Sequence, residues 1–169
     1  MLFRSIFDEA GATAVRLVSA TGSLGSTDSV PADGCRTGHA SISSTGRYVA
    51  FESDSPSFGG PNIEGSYFNV VWLRDRDADG NGVFDEPAGV STQIVSEGRD
   101  GILLTGDTDC GYLAYGVEVT ACGPRVSDDG RFVSFITARQ LGASDGNGAL
   151  DLAIWDRTVN FARPVALLG

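Results

Sequence analysis

The strongest constraint on the fold of this chain is an internal repeat. The segment ASISSTGRYVAFES at residues 40–53 matches PRVSDDGRFVSFIT at residues 124–137 without a gap. Each copy has a short run of β-forming residues, a turn at Gly46 or Gly130, and a second run in which apolar residues recur at alternate positions. This pattern predicts a β-hairpin in each copy.

Two more strands follow each predicted hairpin. NVVWLRDR at residues 69–76 corresponds to LDLAIWDR at residues 150–157 and supplies a third strand. STQIVS at residues 91–96 and, less clearly, FARPVAL at residues 161–167 supply a fourth. Pro164 lacks an amide proton, which suits an outermost strand.

The N-terminal segment belongs to the same pattern. FDEAGATAVRLVS at residues 7–19 aligns without a gap to FDEPAGVSTQIVS at residues 84–96. The chain therefore begins inside a repeat, and residues 13–19 are predicted to form an orphan fourth strand.

These repeats predict an all-β chain made of β-propeller blades, which are four-stranded antiparallel sheets, in an incomplete ring. Four strands in each repeat of about 40 or more residues are typical of blades. A β-sandwich is the alternative, but it gives no reason for four-strand units to recur in order. We assign residues 1–20 to the orphan outer strand of a preceding blade, 21–100 to a first blade with an Asp-rich hairpin, and 101–169 to a second blade. Two blades cannot close a ring, so we expect either self-association into an oligomer or missing blades of a longer chain.

The residues of the repeat resemble those of the TolB-like β-propeller family. The resemblance is carried by the Gly-Arg-aromatic-Val sequence after each turn and by the third strand that ends in Asp-Arg. The family is common among bacterial envelope and secreted proteins. The resemblance therefore implies a propeller fold and an extracytoplasmic setting, periplasmic or secreted, although no signal peptide is visible in this chain.

The segment DRDADGNGVFDE, between the third and fourth strands of the first blade, has the spacing of a calcium-binding loop. Carboxylates stand at alternate positions, a glycine follows for a sharp turn, and an acidic residue closes the segment at position 12, as in an EF-hand loop. Several carboxylates within a dozen residues repel one another unless a cation gathers them. The alternative is a solvated Asp-Gly-Asn-Gly turn with no ion. The predicted calcium ligands are Asp75, Asp77, Asp79, Asn81, Asp85 and Glu86.

The overall charge limits the classes of partner. The net charge is −10, with 22 acidic residues against 12 Lys and Arg, so the chain repels phosphate backbones and anionic lipid surfaces. We therefore expect no nucleic-acid partner, and no apolar run is long enough for membrane insertion. Cys110 and Cys122 could form a local disulfide, or the three cysteines, with Cys35, could remain free thiols.

No arrangement of residues predicts a catalytic site. The single histidine, His39, is placed at the entry to an inner strand and is interpreted as a hydrogen-bonding or packing residue. Trp72 and Trp155 are interpreted as packing between blades, with a sugar-stacking surface as the alternative. We therefore predict a calcium-stabilised, non-enzymatic binding or scaffolding module that binds protein or polysaccharide at the cell envelope. The alternative is the propeller portion of a polysaccharide-acting hydrolase or lyase, or of a peptidase.

Overall fold

The computed structural model describes residues 2–5, 14–17, 37–53, 58, 70–97, 123–137 and 150–165. These ranges form an all-β structure and contain no α-helix, so no helix there is long and apolar enough to cross a membrane. The three cysteines lie outside the described residues. The strands are β1 (Leu2–Ser5), β2 (Ala14–Leu17), β3 (Thr37–Ile42), β4 (Tyr48–Ser53), β5 (Val70–Asp75), β6 (Ser91–Ile94), β7 (Arg125–Val126), β8 (Phe132–Thr137), β9 (Asp151–Asp156) and β10 (Phe161–Pro164).

Two four-stranded sheets have the same strand order. The first sheet contains β3, β4, β5 and β6 as neighbours in chain order, and the second sheet contains β7, β8, β9 and β10 in the same way. Every neighbouring pair is antiparallel. The prediction of an all-β chain with two four-stranded antiparallel sheets is confirmed.

The turns that join the first two strands of each sheet are built alike. Gly46 and Gly130 have positive φ angles of 76° and 67°, a conformation that costs a residue with a Cβ atom free energy. The hydroxyl groups of Ser43 and Ser127 each accept a hydrogen bond from the amide that begins the next strand, at 3.1 and 2.9 Å. The repeat in sequence is therefore also a repeat in hydrogen bonding.

The N-terminal hairpin repeats the outer half of the first sheet. Strand β2 lies within residues 13–19, and it pairs with β1 so that Leu17 is opposite Leu2. The sequence repeat aligns Leu17 with Ile94, which is opposite Trp72 in the first sheet. Strands β1 and β2 therefore have the register of β5 and β6, and the fourth strand has a partner that the sequence analysis did not find.

The first and second sheets stack face to face, and the two faces in contact are not equivalent in the repeat. The repeat aligns Phe135 of the second sheet with Phe51, yet Phe51 lies on the far face of the first sheet. The sheets are therefore stacked head to tail, each presenting the same face in the same direction. The core between them contains Tyr48, Ala50, Val71, Leu73 and Val95 from the first sheet and its edge, and Val133, Phe135, Ala153, Trp155 and Ala162 from the second.

Corresponding strands are neighbours across this stack. The amide of Val126 in β7 donates to Ser41 Oγ in β3 at 3.0 Å, so the first strands adjoin. The amide of Ala162 in β10 donates to the carbonyl of Glu97, just beyond β6, at 2.8 Å, so the outer strands adjoin as well. The second sheet is thus a displaced repeat of the first.

Burial differs between the two sheets. The far face of the first sheet holds a second apolar cluster of Val49, Phe51, Val70 and Trp72, with Ala40, Phe58 and Ile94 against it. Strands β4 and β5 are consequently buried along their whole length. In the second sheet, only the face toward the first sheet is buried, because Phe132 and Leu152 on the other face are 38% and 46% exposed.

Candidate metal centre

The predicted calcium loop, residues 75–86, begins at the last residue of β5 and lies almost wholly in the segment 76–90 that joins β5 to β6 of the first sheet. Two backbone hydrogen bonds close it, from the amide of Asp85 to the carbonyl of Arg76 at 2.8 Å and from the amide of Ala78 to the carbonyl of Gly89 at 2.6 Å. Gly80 and Gly82 have positive φ angles of 74° and 88°. The loop is therefore a compact hairpin extension that places its acidic side chains close to one another.

Asp75 is held by two arginines. Arg47 donates to both carboxylate oxygens, at 2.8 and 2.9 Å, and Arg157 of the second sheet donates to Oδ2 at 3.2 Å. The amide of Asp77 donates to Oδ1 at 3.1 Å. Burial raises the pKa of Asp75, but hydrogen bonds from Arg47, Asp77 and Arg157 outweigh it and hold the pKa below its usual value. Asp75 thus joins the hairpin to both sheets.

Asp85 is held by a third arginine. Arg76 Nε donates to both oxygens of Asp85 at 3.2 and 3.0 Å, and a second nitrogen of Arg76 makes a further short contact to Oδ2. The two side chains are only 4% and 3% exposed. Arg76 also donates to the carbonyl of Gly46 at 2.8 Å and lies over the ring of Phe84 at 5.0 Å. This buried, bidentate pair closes the base of the loop.

The remaining four predicted ligands lie between the two sides of the loop, and Asp77 among them is buried. Asp77 Oδ1 accepts from the amide of Gly82 at 3.1 Å, and its other oxygen is 3.7 Å from Arg47 Nη1. Asn81 Nδ2 donates to Asp79 Oδ2 at 3.0 Å and also to Glu86 Oε1. The side chain of Asn81 thus brings two of the carboxylates together.

This geometry divides the six predicted ligands into two groups. Asp75 and Asp85 accept hydrogen bonds from arginines. Asp77 is in a longer ion pair with Arg47, and Asp77, Asp79, Asn81 and Glu86 have hydrogen bonds that a cation could replace. Over the ranges that the structure describes, no three acidic, histidine or cysteine side chains are gathered as a metal-binding group. A calcium ion would therefore require Asp79 and Glu86 to exchange the amide of Asn81 for the ion.

Sequence reasoning overlooked the arginines. Asp156 of the second sheet occupies the position of Asp75 and pairs with Arg131 at 3.2 and 3.3 Å, as Asp75 does with Arg47. Hydrogen bonds from Arg131 and Thr158 hold the pKa of Asp156 far below its usual range. The signal was present, because Gly-Arg follows both turns and Asp-Arg ends both third strands.

The other residues singled out by the sequence have structural partners. His39 Nδ1 is 3.0 Å from Glu52 Oε2, a side chain that is itself buried. Trp72 and Trp155 are both buried, the first in the far cluster and the second between the sheets. Neither indole therefore has an open face on which a sugar could stack.

Comparisons with models of protein families, with curated proteins and with solved structures found no match.

Proposed function

We propose that the chain is a non-enzymatic binding or scaffolding module of a β-propeller, stabilised by calcium at its acidic hairpin. The observation that carries the proposal is the aligned, head-to-tail stacking of two equivalent sheets. In a β-sandwich, two sheets bury one face each and leave the other in solvent. A stack of repeat units instead buries both faces of its inner members. The burial of both faces of the first sheet supports a stack of blades.

A scaffolding role is supported by how the chain uses its reactive and aromatic residues. His39 is engaged by Glu52, and both tryptophans fill the apolar clusters. The partner in this proposal is a protein or polysaccharide of the cell envelope. That setting, periplasmic or secreted, follows from the resemblance of the repeat to the TolB-like family.

Binding without turnover is the direct test of the scaffolding role. The chain is incubated with neutral and acidic bacterial polysaccharides, and both co-sedimentation and newly released sugar ends are measured. The proposal expects co-sedimentation, or capture of an envelope protein, with no release of sugar ends. Release of sugar ends that is lost in His39→Ala would instead favour the hydrolase or lyase alternative.

Calcium binding is supported by the different partners of the acidic side chains within the hairpin. The pairs of Asp75 and Asp85 with arginine fix the base of the loop. Asp77, Asp79, Asn81 and Glu86 are left as oxygen ligands within the loop. Ca²⁺ takes six to eight such oxygens, and backbone carbonyls and water would supply the rest. The excess of acidic residues in the chain also favours cation binding.

Thermal unfolding in calcium and in chelator tests the metal proposal. Calcium that binds only the folded chain stabilises it by about 2.7 kcal/mol at a hundred times its dissociation constant, so the midpoint should rise. Asp79→Asn and Glu86→Gln should abolish the rise. Asp129→Asn, in the turn between the first two strands of the second sheet, is the control and should retain it. Equal midpoints in calcium and chelator would contradict the calcium proposal.

A further inference from the structure

The second sheet has one apolar face that nothing in the described structure covers. We call it the outer face, and it comprises Phe132, Ser134, Ile136, Leu152 and Ile154. Phe132 is 38% exposed and Leu152 is 46% exposed. The sequence repeat aligns these two residues with Tyr48 and Val71, which are buried between the two sheets. The outer face is therefore the counterpart of the surface of the first sheet that the second sheet covers.

The covered surface of the first sheet shows what such a face accepts. The ring of Tyr48 lies directly against Gly130, where a Cβ atom would fall within 2.6 Å of its carbons. The guanidinium groups of Arg47 and Arg157 each lie 5.0 Å from the centre of the same ring. Arg47 comes from the same sheet as Tyr48, whereas Gly130 and Arg157 come from the second sheet. The incoming unit therefore contributes a glycine turn and an arginine.

A carboxylate and a backbone amide complete the contact surface of the first sheet. Asp75 binds its own Arg47 and also receives Arg157 of the incoming unit at 3.2 Å. The amide of Ser44 donates to Asp128 of the incoming turn at 2.9 Å. Apolar contact, one ion pair and one turn-to-turn hydrogen bond thus fix the position of the second sheet on the first.

The outer face of the second sheet carries the same arrangement of contact groups. Arg131 lies 4.6 Å from the centre of the Phe132 ring and binds Asp156 at 3.2 Å, as Arg47 does with Tyr48 and Asp75. In the first sheet, Arg157 is the second arginine beside the carboxylate of Asp75. In the second sheet, the second arginine beside Asp156 is Arg163, at the longer distance of 3.8 Å. The aromatic ring, the arginine and the carboxylate are in place, and the glycine turn and second arginine are the parts that a partner would bring.

We propose that the outer face of the second sheet docks a further unit of this same repeat. The incoming unit seats the glycine of its turn on Phe132, pairs the arginine of its Asp-Arg sequence with Asp156, and covers Leu152 with its apolar face. The inference rests on the proposed scaffolding function and names the surface through which the scaffold continues.

A second copy of the chain does not fit this surface through its described residues. The face of the second sheet that would have to dock is already covered by the first sheet. The corresponding face of the first sheet is also buried, with Phe51 and Trp72 in its cluster. The occupant is therefore an additional repeat unit with a free docking face.

The test extends the full chain at its C-terminus by a second copy of residues 98–169. Oxidative footprinting then compares Phe132 in the extended and unextended chains, with Ile42 on the far face of the first sheet as the internal control. Labelling of Phe132 should fall about fivefold, because Tyr48 at the same position of the first sheet is 8% exposed against 38% for Phe132. Labelling of Ile42 should not change.

Two variants identify the contacts. Gly130→Val placed only in the added copy should restore labelling of Phe132, because the new side chain occupies the space of the ring. Arg157→Ala in the added copy should weaken protection but not abolish it. An extended chain whose original Phe132 is labelled as fast as before would overturn the proposal. An added copy that stays unfolded by circular dichroism counts against it equally, because docking supplies the apolar surface that a repeat needs to fold.

Light scattering on the unextended chain tests the remaining alternative, which is a dimer formed through the outer face. A dimer in which Phe132 is already protected would assign the outer face to a second copy of this chain and overturn the proposal. The calcium and polysaccharide experiments use the unextended chain and do not depend on the outer face, so their failure is distinguishable from failure here.

Discussion

Arg76 and Arg157 occupy the same position of the repeat but have different partners. Each follows the aspartate that ends a third strand. Arg157, whose side chain is 35% exposed, reaches across to Asp75 of the preceding sheet. Arg76, which is 4% exposed, binds Asp85 within its own hairpin. One arginine joins two sheets, and the other closes a loop.

The difference follows from the segment that comes after each arginine. The long loop of the first sheet provides Asp85, whose carboxylate accepts hydrogen bonds from Arg76. The second sheet has only the short turn 157–160 and no such carboxylate. The acidic loop therefore neutralises a buried arginine as well as carrying the ligands of the proposed calcium site.

Removing Asp85 should have the largest effect on stability. Asp85→Ala leaves the buried guanidinium of Arg76 without its carboxylate, although the neutral carbonyl of Gly46 still accepts one hydrogen bond from it. Loss of one member of a buried ion pair costs about 3–5 kcal/mol. The free energy of unfolding from urea titrations, in chelator, measures this loss.

Two controls separate the causes of that loss. Asp85 has a φ angle of 62°, and asparagine tolerates this conformation, so Asp85→Asn should retain part of the stability. Asp75→Ala should cost only about 1–2 kcal/mol, because Arg47 and Arg157 are each about a third exposed and water can solvate them. An equal loss for Asp75→Ala and Asp85→Ala would mean that the two arginines are not distinguished by burial.

The two turn glycines give the second test. Gly130→Ala brings a methyl group within 2.6 Å of the Tyr48 ring in addition to the strain of a positive φ angle, for an expected loss of about 2–4 kcal/mol. Gly46→Ala meets no atom closer than 3.8 Å, so only the backbone strain of about 1–2 kcal/mol remains. Chemical denaturation of both variants checks the difference. Equal losses would show that the close approach of Tyr48 to Gly130 does not persist in solution.

Acid should weaken the aspartate–arginine pairs that occur at the same position in both sheets. The pKa values of Asp75 and Asp156 lie below their ordinary value in the folded chain, so their pairs contribute fully above about pH 4 and lose that contribution as the pH falls toward the folded-state pKa. Asp75→Asn and Asp156→Asn should each flatten the acid limb of stability between pH 4 and pH 2. Asp79→Asn, which removes a carboxylate without touching an arginine, is the control. If neither Asp75→Asn nor Asp156→Asn changes the dependence of stability on pH, the loss of stability in acid does not come from these two aspartate–arginine pairs.

The sequence predicted much of the fold because strand and turn chemistry are local. Alternation of apolar residues and the glycine turns gave the two hairpins and the order of strands in both sheets. The function of individual acidic residues was less accessible, because Asp75 and Asp85 have the spacing of metal ligands whether or not an arginine faces them. Their partners, Arg47 and Arg157, come from other strands, and only the three-dimensional stack brings these charges together.

Phe132→Ser should have the smallest effect and tests the contrast in burial between the sheets. Phe132 and Tyr48 occupy the same repeat position, but only Tyr48 is covered. We expect Phe132→Ser to change the free energy of unfolding by no more than about 1 kcal/mol, whereas the matched Tyr48→Ser should cost about 3–5 kcal/mol. If both substitutions cost the same, the outer face is already covered in solution. Because dilution would reduce the cost at Phe132 only if that cover were a second copy of the chain, repeating the titration over a range of protein concentrations identifies the cover.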